Sequence, residues 1–133
     1  MGKKKHVLLA DDEPDFRYSA TVALKRAGYE VSEAGDGLEA LLKIVEARDA
    51  GEMYSMLLTD IRMPVLSGLS LLDALNRLRI RIPVITITHS TDQGMFEELA
   101  GKGCTEHIEK PFSPRELVRR IDAFLGGSME NAV

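Results

Sequence analysis

Val7-Leu8-Leu9-Ala10 runs directly into Asp11-Asp12, and Met56-Leu57-Leu58-Thr59 runs directly into Asp60. Continuous apolar runs of this length, each stopping at an acid, read as strands buried on both faces. Ile82-Pro83-Val84-Ile85-Thr86-Ile87 has the same form and ends at Thr88. A weaker run from Cys104 to Glu109 ends at Lys110. Tyr29-Glu30-Val31-Ser32-Glu33-Ala34 alternates instead, which suits a strand nearer a sheet edge.

Helical spacing fills the intervals. Phe16, Ala20, Ala23, Leu24 and Ala27 form one stripe, closed by Gly28. Pro14 suits its first turn, where the missing N–H has no partner to lose. Leu38, Leu41, Leu42 and Val45 mark a second helix. Leu69, Leu72, Leu75 and Leu78 mark a third, opened by Ser67-Gly68. Met95, Phe96, Leu99 and Ala100 mark a weaker fourth, ended by Gly101 and Gly103. A fifth carries Leu117, Val118, Ile121, Phe124 and Leu125. Ser113 and Glu116 form a capping box at its start, and Gly126-Gly127 are expected to end it.

Strand and helix therefore alternate five times. Parallel strands need crossover connections, so the pattern predicts an α/β fold, with a parallel sheet covered by helices on both faces. Right-handed crossovers reduce the topology to a doubly wound sheet. Such sheets bind ligands beyond the carboxyl ends of their strands. Asp11, Asp12, Asp60, Thr88 and Lys110 are all placed at those ends.

Composition fits one domain. A chain of 133 residues supports one sizeable core, and 44% hydrophobic with 29% charged residues is ordinary for a soluble globular protein. A net charge of −4 gives no reason to expect nucleic-acid binding. The single Cys104 has no internal disulfide partner, which suits a reducing cytoplasm. Lys3-Lys4-Lys5 precedes an apolar run too short for a signal peptide, and no run approaches the ~20 apolar residues of a membrane helix. There is no internal repeat or linker.

Three carboxylates in one cleft repel one another, and a hard divalent cation relieves that repulsion. Asp12 and Asp60 are the expected direct ligands, with Asp11 direct or acting through water. Asp is also favoured at helix starts, so the Asp11-Asp12 pair read alone is equally a cap beside Pro14. A carboxylate such as Asp60 can also attack phosphorus. Lys110 supplies a point charge, and Thr88 a hydroxyl, for phosphoryl oxygens.

The stretches Leu8–Pro14, Asp36–Leu41, Leu58–Gly68, Pro83–Thr88 and Glu109–Phe112 together resemble a response-regulator receiver domain, across nearly the whole chain. The resemblance implies a flavodoxin-like fold with strand order 2-1-3-4-5. It implies a receiver over residues 5–126, with flexible tails at 1–4 and 127–133. It implies Mg²⁺-dependent phosphorylation of Asp60 by a sensor histidine kinase or phosphotransfer protein, and adds the backbone carbonyl of Arg62 as a metal ligand. Thr88 is then drawn to the phosphoryl group, shifting the surface of the fourth helix, fifth strand and fifth helix toward an output partner. Phosphorylation-linked homodimerisation is a family-level expectation. No effector domain follows Gly127, so the expectation is a stand-alone receiver or part of a longer regulator.

Two residues depart from the family pattern. His89 replaces the usual small residue after the switch threonine, and His107 stands where a Tyr or Phe rotamer switch is typical. Catalysis beyond self-phosphorylation and slow autodephosphorylation is not expected, because the chain lacks a substrate-sized insertion and a general acid two residues past Asp60. The alternative is a phosphorylation-independent interaction module on the same fold.

Overall fold

The computed structural model describes residues 4–89 and 94–130. Five strands, β1 (His6–Ala10), β2 (Glu30–Ala34), β3 (Met56–Asp60), β4 (Val84–Thr88) and β5 (Glu106–Glu109), alternate with five helices. The helices are α1 (Pro14–Arg26), α2 (Gly37–Ala50), α3 (Gly68–Arg77), α4 (Phe96–Gly101) and α5 (Pro114–Glu130). All strand pairs are parallel, in the order β2-β1-β3-β4-β5. This is the doubly wound sheet expected from the alternation, in the flavodoxin-like order that the resemblance implies, and the alternating strand β2 does lie at an edge.

Strand side chains point alternately to opposite faces, so each central strand serves two cores. Leu8 and Ala10 of β1, with Leu57 of β3, pack on one face with Ala40, Ile44, Leu71 and Leu75. Val7 and Leu9, with Met56 and Leu58, pack on the other with Ala20, Leu24, Leu117 and Ile121. Helices α2 and α3 therefore cover one side, and α1 and α5 the other. Being apolar on both faces is what makes β1, β3 and β4 continuous apolar runs.

Three helical expectations need correction. In α2, Leu38 and Leu42 are exposed, while Gly37, Ala40 and Ile44 are buried. The inward stripe is displaced because the helix packs close and favours small residues there: a Cβ on Gly37 would lie 2.0 Å from the Leu66 carbonyl oxygen. Leu78 is also exposed, as the C-cap of α3 rather than part of its core stripe. Finally, α5 does not stop at Gly126-Gly127 but continues to Glu130. Glycine costs roughly 1 kcal/mol against alanine in a helix, which weakens a helix without forbidding it. Residues 127–130, expected in a tail, are thus helical, while expectations for 1–3 and 131–133 lie outside the described residues.

Caps agree with the sequence reading. The Ser67 hydroxyl accepts from the Ser70 N–H at the start of α3, and the Ser113 hydroxyl from the Glu116 N–H at the start of α5. At α1, Pro14 is the first helical residue and Glu13 is the cap, so neither Asp11 nor Asp12 is used as the N-cap.

Two glycines fix how closely the β3–α3 loop packs. A Cβ on Gly68 would meet the Asp60 carbonyl oxygen at 2.4 Å. Replacing Gly37 or Gly68 by alanine should each lower the unfolding free energy by roughly 1–3 kcal/mol, the usual cost of forcing atoms into a filled site. Gly101→Ala meets open space at the end of α4 and should not destabilise. Urea denaturation of the three variants checks the contrast.

Candidate functional site

The parallel ladders bring the ends of β1, β3, β4 and β5 to one edge of the sheet. Ala10 pairs with Thr59, Asp60 with Ile87, and Thr88 with Glu109. The residues that follow or close these strands, Asp11, Asp12, Asp60, Thr88 and Lys110, therefore meet. A carboxylate oxygen from each of Asp11, Asp12 and Asp60 lies within 4.8 Å of the others. Asp11 and Asp60 are buried and Asp12 is exposed, so the cluster has an inner pair and an outer lip.

Local hydrogen bonds aim the inner acids. Asp11 Oδ1 accepts from the Glu13 N–H at 2.8 Å, and Asp60 Oδ1 accepts from the Arg62 N–H at 3.2 Å. The Asp11 backbone is fixed from both sides: its N–H donates to the Ala34 carbonyl, and its own carbonyl accepts from Arg17. Arg17 in turn pairs with Glu33 of β2 at 3.0 Å.

Lys110 Nζ lies 3.4 Å from Asp11 Oδ2 and also bonds Glu13. It sits 4.1 Å above the centroid of the Phe16 ring, a cation–π position. Sequence reasoning singled out neither Glu13 nor Phe16 for the site. The signal was present in the charge count, since a run of three acids at 11–13 faces a single ammonium. The Lys110-Pro111 peptide bond is cis. The Thr88 hydroxyl, buried, donates to the Ile108 carbonyl at 3.4 Å, a long bond.

The two expected departures fall in different places. His89 is half-buried and near enough to Asp60 and Glu13 that a positive charge on its ring would favour their ionised forms. His107 is exposed on β5, its ring stacked on Phe96 of α4 with centroids 3.9 Å apart. Its carbonyl accepts from Arg120 of α5.

The acids are not at ease. Burial, then the neighbouring Asp11 charge, push Asp60 up to about 6, against the lowering effect of the Arg62 N–H, Lys110 and His89. Burial likewise raises Asp11, though the Glu13 N–H and Lys110 oppose it. Burial pulls the Lys110 ammonium down, but Glu13, Asp11 and Asp60 outweigh it and hold it above the ordinary lysine value. One ammonium does not neutralise the cluster. An all-oxygen donor set with uncompensated negative charge suits a hard divalent cation.

The family model described as "Response regulator receiver domain" matches residues 7–122. The phosphate regulon transcriptional regulatory protein PhoB of Pseudomonas aeruginosa is 37% identical over 123 residues, covering 91% of this chain and 52% of that protein. The transcriptional regulatory protein PrrA of Mycobacterium leprae is 36% identical, covering 90% and 49%. The chain thus spans about half the length of these curated relatives. Among solved structures, the chemotaxis response regulator CheY4 of Vibrio cholerae superposes with a TM-score of 0.81 at 30% identity, covering 91% of this chain and 98% of that one. The receiver domain of the Francisella response regulator 1452 gives a TM-score of 0.81 at 29% identity, covering 94% and 99%.

The raised Asp60 value has a stability consequence of definite sign. The native state holds this proton more tightly than the unfolded chain does, where the carboxyl returns to its ordinary value near 3.8. Ionising Asp60 therefore costs native stability as pH rises from about 4 to about 6. The full cost, on the order of 2–3 kcal/mol, is present above that window. Asp60→Asn should raise the melting midpoint of metal-free protein at pH 7.5 by several degrees, with the gain shrinking toward zero as pH falls to 4. Added Mg²⁺ should raise the wild-type midpoint more than the variant's. Scanning calorimetry across pH, with and without Mg²⁺, checks both.

Proposed function

The chain belongs to the response-regulator receiver family of two-component systems, and on that premise we propose that it is a phosphoacceptor switch. The observation that carries this reading is the convergence of the buried Asp60 carboxylate, the Asp11 and Asp12 acids, the Thr88 hydroxyl and the Lys110 ammonium at one sheet edge.

In this reading an Asp60 carboxylate oxygen attacks the phosphorus of a phosphohistidine on a sensor kinase or phosphotransfer protein. An O–P bond forms, the donor P–N bond breaks, and its electron pair leaves with the imidazole, which takes up a proton. Asp11, Asp12, Asp60 and the Arg62 backbone carbonyl are the residues that would hold Mg²⁺, whose charge, when bound, offsets that of the phosphoryl oxygens. Lys110 supplies a further positive charge beside Asp11, already aimed by Glu13 and Phe16. Water later hydrolyses the acyl phosphate and resets Asp60. No further enzymatic activity is assigned to the chain, and its place is the cytoplasm.

The switch step falls to Thr88. Its bond to the Ile108 carbonyl is long, so exchanging it for a phosphoryl oxygen gives up little. The carbonyl so released belongs to β5, whose next residue inward, His107, stacks on α4 and accepts from α5. The signal is then a shift in the population of the α4–β5–α5 surface, read by an output partner or by a second copy of the chain.

Incubation with Mg²⁺ and a small acyl phosphate tests the reading by intact mass. One added phosphoryl group is expected, dependent on Mg²⁺ and absent in Asp60→Asn. Partner binding that persists in Asp60→Ala, with no mass gain in the wild type, would instead establish a phosphorylation-independent module. Because the His89 ring lies within electrostatic reach of Asp60, His89→Ala should change the lifetime of the acyl phosphate. An unchanged half-life would remove His89 from the site's chemistry.

A further inference from the structure

Four helices end in the same way, and one of them breaks the pattern. After α1, α2, α3 and α4 the chain turns back through a residue in the left-handed region: Gly28 (φ 102°), Gly51 (φ 73°), Arg79 (φ 58°) and Gly103 (φ 99°). Each end is closed by the same pair of backbone bonds. At α3 these run from the Arg79 N–H to the Asn76 carbonyl and from the Ile80 N–H to the Leu75 carbonyl. This motif favours glycine, because a Cβ crowds the backbone when φ is positive. Three ends use glycine. The fourth uses an arginine, at a conformational cost, and among the described residues neither the Arg79 nor the Arg81 guanidinium makes a hydrogen bond or ion pair.

Arg79 and Arg81 line a groove of about 750 Å³ between the α3–β4 and α4–β5 connections. It lies at the amino ends of the strands, opposite the acidic site. Leu72, Leu75, Ile82 and Val84 supply apolar lining, and Lys102, already paired with Asp73 at 2.7 Å, stands on the rim. A positive-φ arginine and a second arginine on the rim of a part-apolar groove leave two guanidinium forks open to a group from outside the chain.

We propose that this groove is a docking site for an acidic polypeptide segment with interspersed apolar side chains. Guanidinium forks match carboxylates in bidentate geometry, and the apolar lining takes the intervening side chains. A nucleic acid fits less well: the groove lining contains no aromatic ring on which a base could stack, and the chain as a whole is anionic at −4. The site is independent of Asp60 and does not rest on the phosphoacceptor reading.

Fluorescence anisotropy with a set of short fluorescein-labelled peptides, in which Glu alternates with Leu or Phe, tests the proposal. Binding should weaken roughly tenfold or more in Arg79→Gly/Arg81→Gln, as expected for losing charge-assisted bonds, and should weaken with added salt. Lys25→Gln/Arg26→Gln, at the far end of α1, should leave it unchanged. Arg79→Gly alone should raise the melting midpoint, which separates lost docking from lost folding. Three binding results would overturn the proposal. These are no binding by any peptide in the set, an equal loss in the α1 control, and tighter binding of a single-stranded oligonucleotide through the same arginines. A melting midpoint that fails to rise in Arg79→Gly would also overturn it, because the strain on which it stands would be absent.

Discussion

Negative charge confined at the carboxyl edge of a parallel sheet is the constraint on which the site depends. Asp11 and Asp60 are buried beside each other because β1 and β3 are adjacent and in register, Ala10 opposite Thr59, so the acids that follow these two residues emerge at the same edge. The two cores therefore hold the acids together against their repulsion. Packing energy spent across the whole sheet is stored at one edge as raised proton affinity. A cation entering there recovers part of it, which couples cation binding to stability in a way no surface acid pair could.

The fold was largely legible because the central strands are buried on both faces, and that burial writes itself as uninterrupted apolar runs. β5 was less distinct: only Ile108 of its four residues is buried, so its pattern is nearly that of a loop. Helix existence was clear and helix orientation was not. In α2 the leucines dominate the pattern by size, but the buried face carries Gly37 and Ala40, and at Gly37 the β3–α3 loop comes too close for any side chain. Spacing alone does not reveal which side of a helix must be thin. The end of α5 was misread for a related reason: glycine pairs often close helices, but they do so through a turn, and here the backbone continues.

The candidate site was legible as a set of strand-end residues because topology converts sequence position into spatial position. What topology does not supply is the contact between one connection and another. Glu13 and Phe16 belong to the β1–α1 connection and to α1, and Lys110 follows β5 at the far side of the chain. Their meeting depends on side-chain length and rotamer, which periodicity does not encode. The same holds for the stack of His107 on Phe96, which places an imidazole on the outer surface, where the family pattern led one to look for an aromatic switch.

The cage around Lys110 has one more chemical consequence. An amine is a nucleophile only through its free electron pair. Glu13, Asp11 and Asp60 hold the Lys110 nitrogen protonated, and the Phe16 ring covers it. The electron pair is thereby kept occupied. In the proposed switch, an acyl phosphate on Asp60 would stand near a lysine held in its cationic form, so the contacts that place the positive charge also keep its nitrogen from acting as a nucleophile.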